Sequence, residues 1–371
     1  MTVEVLEKLL GSDWAQVLNK RIRDRIVEGR PSSPIVLPVS KAAFPKVLCL
    51  DMMHWVALSR AHYGIMDPTV EAIASLKAIR SAIASGRLIV PILATNISEA
   101  AEHPDKDRRV RLAQFMVDLS GNLSMLNPQV VENQEIIRAV EKHFNIDRTA
   151  TSIRPSIVHW GMNAAAIGRP VNPRTNNPFE AMVIRELSNE PEMSVASLVA
   201  AIDFETIEKM RAREEASLGL MEDARGTDGH LSRVERWSAA MYHCLIDPTF
   251  KYSQMIHAIL AGRGVSLADY RDLVSNHDKR LRLIDDFTQL YIKTMLFYER
   301  DRSGKERYQA NDFKDGTFLG QAIGYANIVV TEKRWAHHAK TTRIGEKYST
   351  TVLGSLRSLA ENLILEHCLV L

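Results

Sequence analysis

The sequence predicts an α/β protein in which a parallel sheet, flanked by helices, is interrupted by an α-helical insertion. Three observations predict it. Short apolar runs alternate with helical patterns in the first third of the chain, at KVLCL (46–50) and LIVPIL (88–93). The same alternation returns near the C-terminal end, at ANIVV (326–330) and TTVL (350–353). Between about Pro128 and Tyr308 helical spacing dominates and strand signal almost vanishes.

The segment up to about Arg30 reads as helix, and the breaker RPSSP at 30–34 follows it, so residues 1–40 form an N-terminal helical arm. KVLCL reads as a buried strand that presents Asp51 at its C-terminal end, with a helix from His54 to about His62. The next helix is written with Asp67 as its cap and Pro68 at its first position. Its apolar face is Val70, Ile73, Leu76, Ile79 and Ile83, and Gly86 stops it. LIVPIL is the second strand, and regular pairing ends at Pro91, which has no N–H to donate. Thr95 or Asn96 caps a helix carrying Glu99. The polar break HPDKDRR at 103–109 precedes a helix to about Leu119, and NLSML at 122–126 is a third strand candidate.

Within the insertion, Ile157–Trp160, Ile256–Leu260 and Leu283–Phe287–Leu290 have helical spacing, with loops at GRPVNPRTNNP and ARGTDGH. Leu356, Leu359 and Leu363 line a closing helix. The expected organisation is therefore an arm (1–40), a first α/β part (41–127), a helical insertion (128–308) and a second α/β part (309–371). Gly/Ser-rich linkers are missing at both junctions, so the insertion is expected to pack as a cap rather than hang as a separate domain.

Composition narrows the function classes. At 371 residues with 46% hydrophobic and 25% charged residues, the chain has the balance of a globular protein with a sizeable core. Forty-seven Lys+Arg against 45 Asp+Glu give a net charge of +2, so any nucleic-acid signal has to be local. Cys49, Cys244 and Cys368 are far apart and form no CxxC pair, which fits a reduced, cytoplasmic protein without disulfides. Glu4 and Glu7 interrupt the N-terminal apolar stretch, unlike a signal peptide. No apolar run approaches the ~20 residues of a membrane helix, so no membrane partner is expected.

In open parallel sheets, ligands bind beyond the C-terminal ends of the strands. Asp51 follows the first strand, Glu99 stands on the helix after the second, Asp312 and Asp315 open the helix before ANIVV, and Glu332 follows that strand. Clustered carboxylates repel and are tolerated mainly beside cations, and oxygen-only ligands favour Mg²⁺ or Mn²⁺ over zinc. Each residue also has a plainer reading. Asp51 reads equally as a helix cap, Glu99 as an exposed helix residue, Asp312 and Asp315 as a cap with a first-turn acid, and Glu332 as a solvated turn. Only their joint placement points to a site.

LDMMHWVALSR at 50–60 resembles the first motif of PIN-like nucleases, where a strand ends in Asp and runs into an aromatic-bearing helix. NDFKDGTFLGQAIGYANIVVTEKRW at 311–335 looks like the later motif, a DxxD helix leading to an apolar strand that ends in Val-Thr-acid. PILATNISEA at 91–100 matches the middle one, which supplies a helix Glu. The resemblance covers about 45–125 and 308–371. It implies that Asp51, Glu99, Asp312 and Asp315 are the catalytic and metal-binding acids, joined by Glu332 at the position after the last strand. The sequence departs from the pattern by this Glu, where Asp is commoner, and by the long gap between Glu99 and Asp312.

What the resemblance implies is Mg²⁺- or Mn²⁺-dependent hydrolysis of RNA phosphodiester bonds in the cytoplasm, with DNA left open as a substrate. The setting it suggests is a bacterial toxin or an antiviral effector, with room for an inhibitory or effector protein partner and for an oligomer. Thr331, Arg334, Lys340, Arg343 and His54 are the expected substrate contacts, Trp55 reading more simply as core. For Thr331 the plain reading is a strand-end hydroxyl satisfied by backbone, and for the basic segment 334–347 a set of solvated charges diluted by Glu346. Asn in place of Asp51 or Asp312 is expected to abolish cleavage while leaving the fold intact. The alternative is a catalytically silent PIN-like RNA-binding or scaffold protein. A nucleotide-binding domain is disfavoured, because no GxGxxG or GxxxxGK[ST] follows a strand.

Overall fold

The computed structural model describes residues 45–102, 104–146, 157–162, 165, 190–199, 242, 245–246, 251–302, 309 and 311–368. The N-terminal arm and the loops at 168–178 and 224–230 lie outside them. The chain divides into two compact units, one built on residues 91–127 and 156–200 and the other on 40–90, 128–155 and 201–371.

The larger unit is organised by a four-stranded parallel sheet. Its strands are β1 (Lys46–Leu50), β2 (Leu88–Ile89), β5 (Ile328–Val330) and β6 (Thr351–Leu353), in the spatial order β2-β1-β5-β6. The numbering leaves β3 and β4 to the other unit. β1 is central: Leu48, Cys49 and Leu50 face Ile328, Val329 and Val330, while Lys46 and Val47 pair with Leu88 and Ile89. Strands with partners on both sides need apolar residues on both faces, and Leu48, Cys49, Leu50, Val329 and Val330 are all fully buried. A parallel sheet also sends its strands' C-terminal ends to one edge, so Asp51 and Thr331 emerge there side by side.

The helices that follow explain themselves locally. α1 (Met52–Tyr63) ends on Gly64, whose φ of 64° is the left-handed conformation a helix stop requires. α2 (Val70–Ala84) is capped by Thr69, whose hydroxyl accepts from the Ala72 N–H at 3.2 Å, and not by Asp67. The cap residue must be extended, and Asp67 instead has φ 46°. This start also changes the face: Ala72, Ser75, Leu76, Ile79 and Ala82 are buried, whereas Val70 and Ile73 point to solvent. Regular pairing of β2 stops at Ile89, ahead of Pro91 as its missing N–H demands.

The smaller unit holds α3 (Ala94–Glu102), α4 (Lys106–Ser120), β3 (Leu123–Met125), β4 (Val158–Trp160) and α6 (Pro191–Val199). α3 starts at Ala94, so neither Thr95 nor Asn96 is its cap; the Asn96 side chain instead accepts from the Leu93 N–H at 3.1 Å. Asp105 caps α4 by accepting from the N–H groups of Asp107 and Arg108. The segment 157–160, helical by its spacing, is a strand: β4 pairs antiparallel with β3, Met125 facing Val158 and Leu123 facing Trp160. The 122–126 run is thus a strand as expected, but in a two-stranded ribbon rather than in the parallel sheet.

Between β2 and β5 runs the helical insertion, of which α5 (Pro128–His143), α7 (Lys251–Gly262), α8 (Leu267–Ser275), α9 (His277–Asp285) and α10 (Thr288–Arg302) belong to the larger unit. Ile136, Val140, Ile256, Leu260, Leu283, Phe287 and Leu290 bury their faces against one another in a single core. α10 then packs on α11 (Asn311–Tyr325). Three glycines at four-residue intervals permit the approach: a Cβ on Gly316 would lie 2.5 Å from the Phe297 ring, one on Gly320 3.0 Å from the Lys293 chain, and one on Gly324 2.8 Å from the Thr288 methyl. α10 also packs on α12 (Lys333–Thr341), which is followed by the short α13 (Ile344–Lys347) and, after β6, by α14 (Leu356–Cys368). Leu356, Leu359 and Leu363 are buried as expected, and α14 packs on α2. Among the described residues, no helix is long and apolar enough to cross a membrane.

Candidate functional site

Four of the five acids gather at the C-terminal edge of the parallel sheet. Asp51 stands in the turn after β1 with extended backbone (φ −64°, ψ 154°), and its side chain makes no bond to the helix it precedes. Its Oδ2 accepts instead from the Thr331 hydroxyl at 3.2 Å, across the β1–β5 pair. Burial raises the Asp51 carboxyl above the usual carboxylate range, with His54 and the Thr331 bond opposing the rise and Glu332 adding to it. His54 is buried, and its Nε2 donates to the Thr331 carbonyl at 3.1 Å. The strand-end Thr331 thus anchors both residues, and Trp55 is core.

Asp312 and Asp315 lie three apart on the first turn and a half of α11. Asp312 is wholly enclosed, and both of its oxygens are engaged. Oδ2 contacts Nη1 of Arg300 in an ion pair and accepts from the Gln309 N–H; Oδ1 accepts from Nη2 of Arg334 at 3.0 Å. Asp315 accepts from the Trp335 indole N–H at 2.8 Å. Burial pushes the Asp315 carboxyl up to about 7; the indole opposes this, and the charges of Asp51, Glu332 and Asp312 add to it.

Arg334 joins the cluster. Its Nη2 lies 3.0 Å from Asp312, 3.8 Å from Asp315 and 3.8 Å from Glu332, so one nitrogen serves three carboxylates. Glu332 is the most exposed of them, in the extended turn before α12. Both guanidinium groups lie over the Trp335 ring, Arg300 at 5.8 Å and Arg334 at 5.1 Å, which fixes their position against a buried aromatic wall.

No known family, curated protein or solved structure matches this chain. Its chemistry therefore has to be read from its own side chains. Among the described residues, no group of three or more His, Cys, Asp or Glu is arranged to hold a metal ion. A hard divalent cation needs carboxylate lone pairs that no stronger donor already occupies. Asp312 does not meet that condition, because two guanidinium groups and a backbone N–H take up both oxygens. As arranged, the side chains do not fit Mg²⁺ or Mn²⁺ at Asp312.

Glu99 stands half-buried on α3, in the smaller unit. Lys340 is exposed on α12, and Arg343, in the left-handed region at φ 55°, is paired with Glu346. Arg334 faces the acids. Sequence reasoning missed Arg300 altogether. One signal pointed to it: the glycine spacing of α11, which marks where another helix comes close.

Proposed function

We propose that this chain is a PIN-like module whose acidic pocket is neutralised from within, and that it works as an RNA-binding or scaffold protein rather than as a hydrolase. One observation carries this reading: both oxygens of Asp312, the central acid, are engaged, Oδ2 ion-paired with Arg300 and Oδ1 hydrogen-bonded to Arg334. A cation entering there would have to displace a guanidinium and break a buried ion pair, a cost of several kcal/mol.

A metal-dependent endoribonuclease, in a toxin or antiviral setting, is the second reading. It is favoured by the convergence of Asp51, Asp312, Asp315 and Glu332 beyond the strand ends and by the burial, with neighbouring acids adding to it, that raises the Asp315 carboxyl. RNA remains the preferred nucleic acid on the strength of the motif resemblance.

The deciding experiment incubates purified full-length protein with labelled single-stranded RNA and DNA, in Mn²⁺, in Mg²⁺ and in EDTA, following binding and cleavage together. Binding of RNA in EDTA with no cleavage in either metal is the expected result. Mn²⁺-dependent cleavage that disappears in Asp51→Asn overturns the silent module and establishes the nuclease.

A further inference from the structure

Surface charge around α12 is unevenly matched. Arg343 is paired with Glu346, Lys347 with Asp285 at 2.9 Å, and Arg357 with Glu361 at 3.1 Å. Lys333 and Lys340 form no ion pair among the described residues, and both are exposed. With His337 they occupy one face of α12 at spacings of four and three residues, so their heads project to the same side.

That face borders a cavity of about 470 Å³. Lys333, His337, Lys340 and Arg343 line one side and Ser355 and Ser358, at the start of α14, the other. Ser355 caps this 13-residue helix, its hydroxyl accepting from the Ser358 N–H at 3.2 Å. The helix's positive end and the two unpaired lysines therefore address one space. Glu346 also borders it, but its charge is met by Arg343. The cavity forms because α12 comes close to the turn after β6: a Cβ on Gly354 would lie 3.2 Å from the Lys333 Cα and 3.3 Å from the Ala336 Cβ. Lys333 follows β5 and Ser355 follows β6, while Gly345 and Thr350 precede β6, so the space runs alongside that strand.

We propose that this groove binds the phosphate of a nucleotide, either free or at the end of an RNA strand. Two lysines and a helix start supply the charge and donors that a phosphate requires. The volume exceeds what a phosphate alone fills and lies within the usual range for small-ligand sites, ~300–1,000 Å³. Ala336 and Val352 add an apolar patch for the base, and the serine hydroxyls match a ribose. The groove shares no residue with the acidic pocket, so only its strand-end form rests on the RNA-binding reading.

The test uses full-length protein in EDTA and titrates AMP, a 5′-phosphorylated RNA decamer, its 5′-hydroxyl counterpart and a phosphoserine peptide. The variants are Lys333→Gln/Lys340→Gln and, as a control of equal charge change, Lys77→Gln/Lys279→Gln. Wild type is expected to bind AMP or the phosphorylated decamer, and the groove variant at least tenfold more weakly, with the control unchanged. AMP binding as tight as the phosphorylated decamer identifies a free nucleotide; preference for the phosphorylated over the hydroxyl decamer, with weak AMP, identifies a strand end. Equal loss in both double variants, peptide binding as tight as nucleotide, or no binding by any ligand overturns the groove. AMP and RNA binding that both survive in the groove variant sink the groove and spare the RNA-binding reading, whereas AMP binding lost only in the groove variant, without any RNA binding, does the reverse.

Discussion

Asp312→Asn removes one charge from an ion pair whose two side chains are each only 1% exposed. The Arg300 guanidinium would lose the Asp312 charge, and breaking a buried pair in this way costs about 3–5 kcal/mol. Arg334 loses its 3.0 Å bond to the same residue, but it is partly exposed and can turn towards water, so it adds little. For a cooperative unit of roughly 150–250 residues each kcal/mol moves Tm by about 2–4 °C, so the variant should melt on the order of 10 °C below wild type. The sequence alone led to the opposite expectation, an intact fold. Asp51→Asn is the internal contrast: burial already raises that carboxyl, so a neutral amide there should be nearly neutral for stability. Arg300→Met completes a double-mutant cycle, in which the double variant should be less destabilised than the two single losses added together. Thermal unfolding followed by circular dichroism supplies all the values. An Asp312→Asn protein that melts within about 2 °C of wild type would refute the idea that this pair holds the pocket closed.

Three further outcomes follow from the same packing. Burial pushes the Glu135 carboxyl from 4.5 up to about 7, so the fold favours its protonated form; its stabilising contribution is full below pH 4.5 and is lost as pH rises through about 7. Denaturant unfolding across that window should show this slope and Glu135→Gln should flatten it, whereas an unchanged slope would assign the effect to another group. Trp335→Phe keeps an aromatic ring but removes the indole N–H that meets Asp315 at 2.8 Å and leaves a gap where the second ring packed, and should cost at least about 1–3 kcal/mol in the same unfolding assay. Gly316→Ala drives a methyl to within 2.5 Å of Phe297 and should cost about 1–3 kcal/mol, and a variant as stable as wild type would show that α10 has room to retreat.

How much of this was legible depended on how local the cause was. β1 and β5 were readable because strands with partners on both sides in a parallel sheet are apolar on both faces, which leaves short, uninterrupted runs such as KVLCL. β4 was not. A three-residue strand gives periodicity too few points to separate strand from helix, and Val158–Trp160 is a strand because β3 lies beside it, a partner more than thirty residues away. The start of α2 failed for a smaller reason: Asp67, Pro68 and Thr69 all suit a helix entrance, and which one caps depends on backbone angles that the residue names leave open.

The pocket divides along the same line. That Asp51 and Thr331 meet follows from two adjacent parallel strands ending together, and topology alone predicts it. That Asp312 would be held by arginine does not follow from topology, because Arg300 comes from α10, at the far end of the insertion, and reaches Asp312 only through the glycine-lined approach of α10 to α11. The insertion therefore does more than cover apolar surface. Without α10, Asp312 would be an enclosed carboxylate balanced by Arg334 alone, beside Asp315 and Glu332, and such a cluster would need a cation from solution to be tolerated. With α10 in place the cation is built into the chain. The long insertion between β2 and β5 and the internal neutralisation of the acids are thus physically one feature.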